Sequence, residues 1–454
     1  MDKNSVSGNS ISDSCEADLI GAPELQRSVG LLGAVMMGLG SIVGTGVFVS
    51  IAIGVSIAGA WTLLAIALAS VTAICNGLSS AQLAANHPVS GGTYEYGHRW
   101  CSARIGFIAG WMFMFAKSAS AAAAALGFSG YLLHLVGVND PVWLVPAALL
   151  AVMLVTAITL VGIRRSSLAN SLIVAVTLTA LAFFVIVGLP TAWASAWSSD
   201  LASAETISDL SRSDVSMKDI LHVTALMFVA YTGYGRIATL GEEIKNPRRN
   251  IPRAIIVTLL VSMVLYVSVG FVVAFANPSN LSQFNDTAAL HLIANGFGVP
   301  GAGTVLAVGA ITAMLGVLLN LVLGLSRVLL AMGRRAEMPK QTALIGEGTG
   351  VPWVATLVVA TIVSGIVLLG DIRIAWSFSA FAVLIYYSIT NLCVLRMEPA
   401  ERIFPVWPAW IGLTSCLFLA FWVEPLVWGN GLALIAIGLL WQRAATRLKQ
   451  QAAV

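Results

Sequence analysis

Apolar positions along this chain fall into twelve long blocks, at about 31–58, 61–84, 104–134, 142–162, 168–190, 220–243, 254–276, 301–332, 353–370, 374–396, 403–422 and 426–442. A helix needs about 20 apolar residues to cross a bilayer, so each block reads as a spanning helix. The longest outside connection, a Ser- and Asp-rich stretch at 191–219, reads as a solvated loop with room for a short helix. Residues 285–297 (NDTAALHLIANGF) read either as an amphipathic helix lying on a membrane face or as a plain loop.

Two blocks break the pattern. In the first, residues 36–48 (MMGLGSIVGTGVF) place Gly38, Gly40, Gly44 and Gly46 with the hydroxyls of Ser41 and Thr45 at mid-block. Glycine readily leaves the α conformation, and hydroxyls compete for backbone hydrogen bonds. Lipid cannot satisfy a helix unwound at that depth, so such a break must line a cavity or a ligand. A small-xxx-small packing face would explain Gly40 and Gly44, but it accounts less well for SIVGTG. The sixth block repeats the anomaly at 228–235 (FVAYTGYG), with Gly233 and Gly235 beside a hydroxyl. Interrupted helices opening each half of a chain are the pattern of an inverted-repeat transporter. The expected organisation is a tail at 1–28, a first repeat at 29–190, an external loop at 191–219, a second repeat at 220–396, two appended spans at 397–442 and a tail at 443–454. The fold class expected is an all-α polytopic membrane protein with twelve transmembrane helices.

Composition agrees, being 58% hydrophobic and 10% charged. Charge then orients the chain. With the N-terminus inside, alternate loops on that side hold 18 of the 24 basic residues, while the opposite loops hold only Arg212, Lys218 and Arg373. That asymmetry predicts both termini in the cytoplasm and an even number of spans in a plasma (inner) membrane. Residues 1–28 are polar and do not read as a cleavable signal. The five cysteines show neither metal spacing nor a pairing pattern. No metal, cofactor or nucleic acid is expected. His134 and His291 are expected at the outer surface, and no nucleophile–base–acid set accompanies them, which argues against an enzyme.

The motifs also carry a family resemblance. GLGSIVGTGVF resembles the first-helix motif of the amino acid–polyamine–organocation superfamily of permeases. PVSGGTYEYGHRW with GFIAGW, FVAYTGYG with EEIKNPRRNIPRA, SRVLLAMGRRAEMP, and VPWVA are similar to later motifs of that family, in family order. The resemblance implies a five-plus-five inverted repeat and amino acid transport by alternating access. It places a substrate carboxylate at the amides of Gly44, Thr45 and Gly46. The substrate ammonium would lie at the carbonyls of Ile42, Val229, Ala230 and Thr232, with Tyr231 and Tyr234 either shaping the pocket or simply packing.

Other positions bear on gating and coupling. Glu242, Glu243, Lys245 and Arg248, like Glu95 and Arg99, read as a cytoplasmic ion-pair network that would serve as an inner gate. The resemblance puts Thr177 where proton-coupled relatives carry a fifth-span lysine. The eighth span offers Ala313, Met314, Leu315, Gly316 and Val317 where sodium-coupled relatives use hydroxyls. Proton coupling, exchange and uniport therefore stay open. Arg236 reads as half of a pair with Glu243, two turns on, or as a cation favouring an anionic substrate group. Lys117 stands alone in GWMFMFAKSASAAAAALGF, on a face with Gly110, Ser120, Ala121 and Ala124 that should point into the bundle. It reads as a proton carrier or as a fixed cation satisfied by unwound carbonyls. The substrate expected is a small amino acid or related zwitterion, and a side-chain cation is disfavoured because the spans lack carboxylates apart from Glu242 and Glu243. The alternative class is an amino-acid-binding sensor or assembly subunit that moves nothing.

Overall fold

The computed structural model describes residues 27, 29–89, 91–138, 140–161, 167–197, 215–239, 241, 243–276, 288–346 and 350–452. The tail at 1–26, most of the loop at 191–219, and Glu242 lie outside the described residues.

All twelve apolar blocks carry helix. The first is interrupted: α1 (Leu31–Ile42) stops at Val43, and a π-turn (Gly46–Ser50) leads into α2 (Ile51–Ala58). Then follow α3 (Thr62–Asn86), a short α4 (Thr93–Trp100), α5 (Ala103–Leu135), α6 (Leu144–Leu160) and α7 (Ser167–Trp197). The sixth block is interrupted as well. Here α8 (Met217–Tyr231) gives way to a 3-10 turn (Thr232–Tyr234) and a five-residue α9 (Gly235–Thr239). The chain continues through α10 (Pro247–Phe275), α11 (Ala289–Asn295), α12 (Ala302–Arg334), α13 (Trp353–Val367), α14 (Ile372–Arg396), α15 (Trp407–Ala420) and α16 (Pro425–Ala452). Among the described residues, eight helical stretches are long and apolar enough to cross a membrane, one of them running from Leu31 to Asn86 through the interruption at Val43; α13 and α15 are shorter but apolar.

The packing is that of a lipid-facing protein. Large apolar side chains such as Leu68, Val71, Ile186 and Val264 point outward, and Trp61, Trp143, Trp193, Trp407 and Trp410 are exposed near helix ends, where indoles favour the membrane–water boundary. Small residues fill the centre. Ala121 to Ala125 of α5 are fully buried, and that helix packs closely against α12 and α14. Apolar lipid provides no hydrophobic drive between helices, so close backbone approach at such residues holds the bundle together.

Both breaks sit inside this bundle, with α1 packed against α7, α9, α10 and the 3-10 turn. Ahead of α1, the Val29 amide donates to the Glu243 carbonyl at 3.0 Å and the Lys245 amide returns a bond to Val29 at 2.9 Å. This single parallel bridge ties the lead-in of α1 to the segment leaving α9. Of the segment 285–297, residues 288–297 are described, and they differ from either expectation of an exposed segment. Helix α11 forms there, but Leu290, Ile293 and Ala294 are buried, because the helix packs against α12. His291 is buried too, its Nδ1 donating to the Gly303 carbonyl (2.8 Å) and its ring lying 6.2 Å from the His134 ring.

Candidate substrate cavity between two broken helices

The two breaks come together because glycine lets their backbones touch. A Cβ on Gly233 would collide with the Ser41 carbonyl and lie 2.5 Å from the Ile42 amide nitrogen. A Cβ on Gly46 would stand 2.8 Å from Ala230 Cβ and 2.9 Å from Tyr266 Oη. Both are closer than side-chain carbons approach, so the juxtaposition depends on these positions carrying no side chain.

Between the breaks lies a cavity of about 30 Å³, room for a water or two and no more. Six of the sequence-expected residues line it: Ile42, Thr45, Gly46, Val229, Ala230 and Thr232. Three do not. Gly44 abuts Val317, where a Cβ would stand 2.5 Å from Cγ2. Tyr231 packs on Tyr266 with ring centres 4.9 Å apart, and Tyr234 packs on Tyr387 at 5.5 Å.

The carbonyls at the breaks are met by hydroxyls. Tyr266 Oη lies 2.9 Å from the Ile42 carbonyl and 3.0 Å from that of Ala230. Tyr387 Oη donates to the Thr232 carbonyl at 3.2 Å, and Thr232 Oγ1 donates to Val229 at 2.7 Å. Within the first break, Tyr131 Oη caps the Phe48 carbonyl at 2.9 Å, and Ser50 Oγ donates to Gly46. Each replaces a partner that water or the missing helical turn would supply. Just after the break, the Val47 and Phe48 amides both donate to the Gly44 carbonyl, at 3.0 and 3.1 Å.

Lys117 also lines the cavity, its Nζ donating to Thr232 Oγ1 at 3.0 Å. It does point into the bundle. Sequence reasoning missed Ser41, Ser120, Val317, Leu321 and Trp376 on the same wall. Trp376 Nε1 donates to the Leu226 carbonyl at 3.1 Å, and Ser120 and Ser379 share a hydrogen bond of 2.7 Å. A signal for Tyr266 and Trp376 existed in their polar tips, each a group that needs a partner inside an otherwise apolar run. Thr177 is buried, with its hydroxyl turned to the Ile173 carbonyl of α7 (2.8 Å). Arg236 is half-buried beside Gly324 and is not on the lining.

The charged residues cluster elsewhere, around α4 and the ends of α3, α12 and α14. Arg335 pairs with Glu95, Arg99 approaches Glu401 at 3.7 Å, and Arg327 approaches Glu243 at 3.9 Å. Glu243 thus faces Arg327, a partner unforeseen in the sequence because it stands within an apolar block. Lys245 is engaged through its backbone amide, and exposed Arg248 reaches Asn86 Oδ1 at 3.4 Å. Buried Glu337 anchors the cluster, accepting from Tyr94 Oη at 2.7 Å and lying 3.0 Å from His98 Nε2. Burial pushes the Glu95 carboxyl above its ordinary range, against the pull of Arg335.

Comparison with known proteins gives the class. The family model described as amino acid permease matches residues 33–451. A protein named only as an uncharacterized transporter of Mycobacterium tuberculosis is 38% identical over 427 residues, covering 91% of this chain and 90% of that one. Branched-chain amino acid permease BcaP of Bacillus subtilis is 26% identical, covering 88% of each chain. Human cationic amino acid transporter 4 is 28% identical, covering 83% of this chain and 61% of that one.

Proposed function

The chain belongs to the amino acid permease family, and from that premise we propose that it moves a small amino acid or related zwitterion across a plasma membrane by alternating access. The observation that carries this reading is the cavity between two helix breaks, reached by backbone groups of both. The substrate carboxylate would meet the amides of Gly44, Thr45 and Gly46, at the positive end of the half-helix that follows. Its ammonium would displace the Tyr266 and Tyr387 hydroxyls from the carbonyls of Ile42, Ala230 and Thr232. An amino acid exceeds the present cavity, so binding would part the walls, and Tyr231 and Tyr234 would move with them. The arrangement suits twelve spans in a five-plus-five inverted repeat with both termini cytoplasmic.

The salt bridges around α4 would form the inner gate, because a rocking bundle must rearrange them. Exchange needs no coupling ion; proton coupling would use a group such as Lys117 in place of the lysine that Thr177 replaces. The relatives' names range over branched-chain and cationic amino acids, so they support the class and leave the substrate to the cavity. Uptake of labelled amino acids into liposomes holding the purified chain, with and without an imposed pH gradient, tests the reading. Saturable uptake supports it. Binding without movement would instead make the protein a sensor.

A further inference from the structure

The cavity between the breaks holds a buried cation with no carboxylate on its lining. Lys117 is 8% exposed, and none of the residues lining the cavity is Asp or Glu. Its ammonium carries three N–H donors, of which the Thr232 hydroxyl takes one among the described residues. Thr45, 3% exposed on the same lining, holds a buried Oγ1 with no partner among the described residues. The acceptors are in the opposite condition. The carbonyls of Ile42, Val229, Ala230 and Thr232 already receive protein hydroxyls.

A buried positive charge with spare donors recognises an anion. Left alone at membrane depth it is costly, and a counter-charge brought by the ligand offsets that cost. A zwitterion brings no net charge and leaves the ammonium uncompensated. A cationic amino acid adds repulsion. Lys117 reaches the cavity from α5 and rests on Thr232 of the second break, whereas the carboxylate expected from the first break uses the amides there. Two anion-binding places on different elements call for two anionic groups on one substrate.

We propose that Lys117 is a specificity-determining residue that pairs with a side-chain carboxylate, so that the preferred substrate is a small acidic amino acid. This rests on the transport reading above and names its substrate class. The walls must part for any amino acid, so charge and not the present volume is what the proposal rests on.

Isosteric pairs test it, since they separate charge from size. In proteoliposomes at one fixed pH, uptake of labelled L-alanine would be competed with L-aspartate against L-asparagine and L-glutamate against L-glutamine, with L-lysine alongside. The acidic member of each pair should compete about tenfold better or more, a difference that one buried ion pair readily supplies. Lys117→Gln should erase the preference, and Lys117→Arg should keep it. Equal or better competition by the amides in the wild type overturns the proposal while leaving transport intact, even if Lys117→Gln fails to reach the membrane. A Lys117→Gln variant that keeps the ranking and loses only pH-driven accumulation also overturns it, in favour of a proton carrier. Absence of uptake of every amino acid by a folded, inserted protein overturns the transport reading and this one together.

Discussion

At the scale of single residues, contact between the two breaks depends on atoms that are absent. Leucine at Gly46 would occupy the space of Ala230 and Tyr266, filling the place proposed for the carboxylate. Gly46→Leu, and Gly44→Leu against Val317, should abolish substrate binding while the protein still inserts. Normal uptake kinetics in either variant would remove that residue from the site. His87, at the end of α3, offers a pH test. Its Nδ1 stands 2.9 Å from Arg99 Nη1, and burial together with the Arg99 and Arg335 charges holds the imidazole below its ordinary range. A depressed value means that the neutral ring favours the fold. That contribution is present above about pH 6.5 and is lost as the pH falls through the lower folded-state value. The detergent melting temperature should therefore hold down to about pH 6.5 and drop below it, with a smaller drop in His87→Gln. An equal drop in both proteins would assign the acid sensitivity to other groups. The glycine and hydroxyl breaks were legible from residue types alone. The tyrosine caps were not, because Tyr266 and Tyr387 reach carbonyls 224 and 155 residues away in the chain.

At the scale of elements, α4 shows how a short helix between long ones gains a fixed position. Tyr94 and His98, four residues apart and so on one face, both meet the Glu337 carboxylate, and Trp441 Nε1 donates to the Glu337 carbonyl at 2.9 Å. Three side chains from two elements, α4 and α16, thus converge on one buried residue. Glu337→Leu would leave the Tyr94 hydroxyl and His98 ring without that partner, at a cost of about 2–4 kcal/mol. A detergent melting temperature several degrees lower is the expected result, and an unchanged one would make the cluster incidental. The sequence showed an ion-pair network here in Glu242, Glu243, Lys245 and Arg248, with Glu95 and Arg99, but not the partners of Glu243, Glu95 and Arg99. The observed ion pairs instead reach Arg327, Arg335 and Glu401. Apolar periodicity locates helices, but it does not say which helix ends become neighbours.

At the scale of the whole molecule, the order of apolar blocks carried the helical architecture, and the breaks appeared where composition had put them. Sidedness is a separate property, written in charge. The asymmetry of Lys and Arg predicts that a cysteine placed at Arg447 reacts with impermeant thiol reagents only from the cytoplasmic side, and one at Arg373 only from outside. Labelling of Arg447→Cys and Arg373→Cys from one and the same side would refute the three crossings expected between those two positions. Of the native cysteines, Cys75, Cys393 and Cys416 are buried, so the labelling starts from a background in which Cys15 and the half-buried Cys101 are replaced by serine.

The lone parallel bridge at Val29 and Ile244 has a mechanical consequence. It yokes two levers: α1, whose far end lines the cavity, and α9, which joins the cavity through the Thr232–Tyr234 turn. Neither half-helix can swing from its seat without dragging the other or snapping two hydrogen bonds. The entrance they flank should accordingly behave as one leaf and not as a pair of shutters. Hydrogen–deuterium exchange should find the Val29 and Lys245 amides gaining and losing protection in step as substrate is added. Independent exchange at the two would mean that the yoke slips before the leaf turns.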